Sequence, residues 1–91
     1  MNCVYILKSA KNGRYYIGST NDLERRLVEH NSGKIKSLRN IRPLIVVFKK
    51  QFKYIEEARK VEQRLKKFKN KNILDKIIQD QEIKLGPVVY R

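Results

Sequence analysis

The sequence predicts an α+β fold with strand and helix order ββαβαα, and three observations carry that prediction. Two β-forming stretches, residues 3–8 and 14–19, flank Lys11-Asn12-Gly13, and an Asn-Gly step between such stretches marks an antiparallel hairpin. Apolar residues recur at helical spacing through residues 54–67 and again through 71–80. Between the hairpin and these helices, Leu44 to Lys50 reads as a third strand. Three antiparallel strands with flanking helices bury one core, in keeping with a single domain over all 91 residues.

Each element has local causes. Asn21, with Glu24 three residues on, can cap a helix over residues 22–32, and Gly33 can end it. Residues 34–42 show no period and Pro43 closes them, so they read as a basic loop. The second helix buries Ile55, Ala58, Val61, Leu65 and Phe68, and the third Ile73, Leu74, Ile77 and Ile78. Residues 81–91 are expected to form a loose tail.

Charge narrows the function classes. Twenty-two Lys and Arg against nine Asp and Glu leave +13, an excess that repels itself and favours a polyanionic partner. The basic residues are spread along the chain rather than gathered on one amphipathic helix, which favours nucleic acid over a membrane surface. Lys34, Lys36, Arg39 and Arg42, with the lysines of the second helix, are candidates for backbone contacts. No apolar run exceeds five residues, against the roughly 20 that span a bilayer. The opening Met-Asn-Cys-Val-Tyr has no basic segment leading into an apolar stretch, so a cytoplasmic location is expected. One cysteine and one histidine exclude an internal disulfide and a Cys/His zinc site, leaving a hard, oxygen-bound cation as the metal class. Cys3 is expected to be a small buried hydrophobe.

Polar groups in three elements depart from simple amphipathicity. On the first helix, Arg26 and His30 border the stripe of Leu23 and Leu27, whereas Arg25 points to solvent. On the second helix, Glu62 projects between Ala58 and Ile55, and a carboxylate so placed needs a cation, either a Lys or Arg or a metal. In the hairpin, a two-residue Asn12-Gly13 turn sets Tyr5 opposite Thr20 and puts Tyr5 and Tyr16 on one face with Cys3, Leu7 and Gly18. Gly18 weakens its strand unless something must approach there.

Together these positions resemble the GIY-YIG nuclease family. Its first motif stands here as Cys3-Val4-Tyr5 and its second as Tyr16-Ile17-Gly18, and the likeness continues through Arg26 and His30 of "NDLERRLVEHNSG" to Glu62 of "EEARKVEQRLKKF". The chain looks like the compact bacterial members and is similar to the nuclease domain of an excision-repair incision subunit, which implies a DNA-repair setting. The resemblance implies a metal-dependent endonuclease that hydrolyses DNA. Glu62 would hold one Mg²⁺ or Mn²⁺, Arg26 would contact the scissile phosphate, and Tyr5 and Tyr16 would orient or deprotonate water. Which tyrosine is the base stays open. His30 would hydrogen-bond a tyrosine or the phosphate, with Gly18 and Ser19 at substrate-binding positions. Positive charge from Arg26 and the metal would favour the phenolate. Cys3 and Val4 replace the motif's first glycine and isoleucine, and Ser19 brings no cationic group after the second motif. Asn70 and Asn72 match a late polar position by type only. Two alternatives stand beside hydrolysis: a non-enzymatic binder of structured DNA or, less favoured, RNA, and a subunit that needs a targeting protein. Nothing in the pattern specifies an oligomeric state.

Overall fold

The computed structural model describes residues 1–68, 70–85 and 88–90. Strand β1 (Asn2–Ser9) pairs antiparallel with β2 (Tyr15–Thr20) on one side and with β3 (Leu44–Phe52) on the other, giving a sheet ordered β2-β1-β3. Helix α1 (Leu23–Asn31) and the single turn α2 (Lys36–Arg39) lie between β2 and β3 in the chain. Helices α3 (Ile55–Lys67) and α4 (Lys71–Asp80) follow β3. This is the expected α+β architecture around a three-stranded antiparallel sheet.

The hairpin differs from expectation in a way that preserves its faces. Tyr5 lies opposite Gly18, not Thr20. A two-residue type I′ turn requires positive φ at both central residues, but here only Gly13 has it, at 73°. The loop instead spans residues 10–13, closed by the Ser9 and Arg14 backbones and by the Gly13 amide on the Ser9 carbonyl. The buried Ser9 hydroxyl accepts from the amides of Lys11 and Asn12, each at 3.1 Å, and donates to the Ile41 carbonyl at 2.6 Å. A four-residue loop shifts the register by two positions, so side-chain parity is unchanged.

That parity sorts the core into two layers. Val4, Ile6 and Phe48 meet Ala58, Val61, Leu65, Leu74 and Ile77 of α3 and α4 on one face. Cys3, Tyr5, Leu7 and Leu44 form the other layer, with Tyr16, Leu23, Leu27, Leu38 and Ile41 packed against it. Cys3 is buried as expected, and burial pushes its thiol pKa up.

Four further differences have physical reasons. The cap of α1 is Asp22, not Asn21: its carboxylate accepts from the Arg25 amide at 3.1 Å, and Gly33 ends the helix region with φ of 85°. The segment expected to be a basic loop contains α2, because Leu38 and Ile41 pack onto the second core layer. Phe68 and Ile73 are exposed, at 47% and 37%, since both stand at helix ends where the apolar stripe leaves the core. Part of the expected loose tail is ordered: β4 (Ile83–Leu85) pairs antiparallel with β5 (Val88–Tyr90), and Ile83 is fully buried in the α3–α4 layer. Gly86, Pro87 and Arg91 of that stretch lie outside the described residues.

Asn31 staples α1 to the sheet. Its carboxamide donates to the Leu44 carbonyl at 3.1 Å and accepts from the Leu44 amide at 2.7 Å. Truncating it leaves partly buried backbone groups unpaired, so Asn31→Ala is expected to lower unfolding stability by about 1–3 kcal/mol, read from urea denaturation. An unchanged midpoint would show that water replaces both bonds.

Candidate active site

The edge strand β2 carries the centre of the site. At Gly18 it has no side chain, and the Tyr5 ring lies directly across it: an added Cβ would collide with the Tyr5 hydroxyl and its ring carbon. The close approach expected at Gly18 is therefore made by Tyr5. The Tyr5 hydroxyl stands 3.3 Å from Nε2 of His30, with the rings tilted at 57°. Nδ1 of His30 is buried with no protein partner. Arg26, one turn before His30, has a side chain 40% exposed and lies 3.6 Å from Glu29. Arg25 is the more exposed of the two arginines, at 64%, as the helical projection predicts.

Glu62 approaches from the opposite layer. It hydrogen-bonds the Ser19 hydroxyl on the strand residue next to Gly18, and its other oxygen lies 2.7 Å from Nζ of Lys66. Its side chain is 18% exposed, against 54% for Lys66. The site thus straddles the sheet edge, with Tyr5 crossing from one face and Glu62 reaching over from the other.

Arg26 and Glu62 both act on the charge state of Tyr5. Burial raises the Tyr5 pKa above its ordinary value; Arg26 pulls it down and Glu62 pushes it up. Burial likewise lowers the His30 pKa, assisted by Arg26 and opposed by Glu29. For Tyr5 burial outweighs Arg26, whose positive charge acts in the direction expected.

Among the described residues no three His, Cys, Asp or Glu side chains gather as a metal cage. A single carboxylate is nevertheless a sufficient anchor for Mg²⁺, which keeps most of its waters. Glu62 already holds a cation, the Lys66 ammonium, and a hydroxyl oxygen lies beside it. The Lys66 end of this i,i+4 pair is solvent-exposed, and an ammonium on a flexible exposed stem is readily displaced, so Lys66 can yield to a divalent ion. The donor set fits.

The remaining expected residues divide. Tyr16 shares the Tyr5 face and is half-buried against the second core layer. Ser19 serves Glu62. The Asn70 side chain caps α4 by accepting from the Asn72 amide at 2.8 Å, which commits its oxygen to the helix. Lys34, Lys36, Arg39 and Arg42 are exposed on and around α2. Sequence reasoning did not assign Lys66 to Glu62, although Glu followed by Lys four residues later was a visible signal. It also missed the hydrogen bond from Tyr15 to Asp75 of α4, which raises the Tyr15 pKa and ties the hairpin to that helix.

The model of the GIY-YIG catalytic domain matches residues 1–75. The chain belongs to the GIY-YIG family. A UPF0213 protein of Listeria monocytogenes is 39% identical over 79 residues, covering 86% of this chain and 88% of the relative. A UPF0213 protein of Bacillus pumilus is 43% identical over 68 residues, covering 74% and 68%. One of Streptococcus pneumoniae is 42% identical over 67 residues, covering 72% and 67%. No solved structure matches. Membership in the GIY-YIG family implies nuclease activity and DNA binding. Among the described residues, no helix of this GIY-YIG chain is long and apolar enough to cross a membrane.

Proposed function

We propose that the chain is an endonuclease that hydrolyses phosphodiester bonds in DNA with one Mg²⁺ or Mn²⁺ ion, at the sheet edge where Tyr5 crosses Gly18. The observation that carries this reading is the Tyr5–His30 pair at 3.3 Å, flanked by Arg26 and Glu62.

Hydrolysis needs an activated water, neutralised charge at phosphorus and a stabilised leaving oxygen. Tyr5 is protonated at neutral pH, because burial holds its pKa up. It therefore acts as a relay. As its oxygen takes a proton from the attacking water, its own proton passes to Nε2 of His30. His30 suits that step because burial and Arg26 keep the imidazole neutral at pH 7. Accepting at Nε2 requires the neutral ring to carry its proton on Nδ1.

Arg26 supplies the phosphate contact, its planar fork binding two oxygens as negative charge builds on them. Glu62, with the Ser19 hydroxyl beside it, would hold the divalent ion, which when bound supplies Lewis-acid neutralisation of phosphoryl charge. Tyr16 shares Tyr5's face and has the water-orienting role.

Incubating the protein with plasmid, nicked and branched DNA plus Mg²⁺ or Mn²⁺ tests the reading. Wild type is expected to cut at least one substrate shape, and Glu62→Ala and Arg26→Ala to lose that cutting. Equal cutting by either variant would reject the assigned site. Tight binding without cleavage of any substrate would instead favour a binder of structured DNA or RNA.

A further inference from the structure

The basic segment after α1 holds two arginines in a way its lysines do not share. Nε of Arg39 donates to the Gly33 carbonyl at 2.8 Å, and Nε of Arg42 donates to the Arg39 carbonyl at 2.9 Å. Gly33 has φ of 85°, and a Cβ built there would fall 2.5 Å from Nη1 of Arg42. The Arg42 guanidinium lies in the space beside Gly33 where a side chain would otherwise stand. Neither arginine belongs to an ion pair among the described residues. Both are exposed, whereas neither the Lys34 nor the Lys36 ammonium makes a hydrogen bond among the described residues, Lys34 being held only through its amide on the Ser32 hydroxyl.

The platform beneath them is fixed. Asn31 ties the end of α1 to Leu44, Ser9 bonds the Ile41 carbonyl, and the Ala10 amide bonds the Pro43 carbonyl at 3.0 Å. Leu38 and Ile41 anchor α2 in the second core layer.

We infer that Arg39 and Arg42 form a preset clamp for a backbone phosphate of the nucleic acid, with Gly33 as its positioning residue. An arginine carries five N–H donors in a rigid fork, and with Nε spent on a carbonyl the Nη groups remain for phosphate oxygens. An exposed arginine normally loses rotamer entropy on binding, and here the main-chain bonds have already restricted it. Gly33 follows Arg26 by seven residues along α1 and its cap. That is roughly 10 Å of helix axis. The clamp therefore seats a backbone phosphate other than the one held at Arg26. The placement relative to the scissile bond rests on the function proposed above; the phosphate contact itself does not.

The test is equilibrium binding of a fluorescent DNA duplex without divalent ions, titrated with salt, with an RNA duplex and inorganic phosphate as competitors. Arg39→Ala with Arg42→Ala is expected to weaken DNA binding by about tenfold or more and to flatten the log–log salt slope by roughly one to two units. Lys34→Ala with Lys36→Ala removes the same formal charge and is expected to cost distinctly less. Arg42→Lys keeps the charge but loses the fork, and is expected to behave like Arg42→Ala. Gly33→Ala, which strains the backbone at φ of 85° as well as crowding Arg42, is expected to weaken DNA binding in the wild type but to cost little further in an Arg42→Ala background, with folding checked by circular dichroism; an equal further loss there would remove Gly33 as the positioning residue. Equal losses for the lysine and arginine pairs, or wild-type binding by Arg42→Lys, would overturn the clamp and leave only diffuse charge. Stronger competition by RNA than by unlabelled DNA would reassign the occupant, overturning the DNA assignment. A protein that binds as expected yet cuts nothing rejects the nuclease reading alone, while one that cuts but ignores these arginine changes rejects the clamp alone.

Discussion

Tyr5→Phe is expected to slow DNA cleavage by roughly 10²–10⁴-fold, the range for loss of a general acid–base group, while DNA binding stays near wild type. Phenylalanine keeps the ring that packs across Gly18 and fills the second core layer. It removes only the oxygen that faces Nε2 of His30. His30→Gln, which cannot take up the relayed proton, is expected to lose a comparable factor. The two losses should not add, because either change breaks the same relay. Additive losses would mean that Tyr5 and His30 act separately.

The same pair predicts the pH behaviour. Protonated His30 cannot accept at Nε2, so activity falls in acid. Burial and Arg26 lower its pKa from the ordinary value of about 6.5, so the acid limb of the rate profile should lie below that of a free imidazole. Stability follows the same sign. As pH falls, the unfolded chain takes up this proton before the folded protein does. The histidine's contribution is therefore complete above about 6.5 and is lost as pH falls through the folded value. In His30→Gln, urea midpoints should vary less with pH across that window. Tyr5 contributes at the other end: its raised pKa keeps the phenol protonated beyond the ordinary tyrosine range, so its ultraviolet titration should come late and vanish in Tyr5→Phe.

The legible parts of this protein were those written over several residues. The period of α3 exposed Glu62 as a carboxylate on an apolar stripe, and the structure places it at the strand edge with Ser19 and Lys66. Helical projection separated Arg26 from Arg25 for the same reason. The hairpin faces survived a wrong loop length because side-chain alternation depends only on parity. The elements not anticipated were short. Helix α2 is a single turn and β4 has three residues, too few for either period to repeat. Their order comes from distant partners: Leu38 and Ile41 on the second layer, and Ile83 on α3 and α4. Of the two influences on Tyr5, charge is visible in a sequence and burial is not. Arg26 favours the phenolate, but the desolvation of a ring that is only 5% exposed outweighs it.

Gly18→Ala is expected to be as damaging to catalysis as loss of a reacting group, although glycine has no side chain to react. The added methyl would occupy the position of the Tyr5 hydroxyl and ring tip. Gly18 itself is buried, with β1 alongside as its strand partner, so the methyl has no empty space to enter. Tyr5 must then rotate away, and overpacking of this kind costs about 1–3 kcal/mol. A displacement near 1 Å already lowers rates by about 10²-fold when geometry matters, and here the hydroxyl also leaves Nε2 of His30. The stability loss and the rate loss can be separated by a second change. In a Tyr5→Leu background the ring is gone, so adding Gly18→Ala should cost little further stability, whereas in the wild type it should cost the full amount. Restored stability without restored cleavage identifies the Tyr5–Gly18 contact as the cause. If Gly18→Ala destabilises both backgrounds equally, the glycine is required by the strand itself and not by the phenol that crosses it.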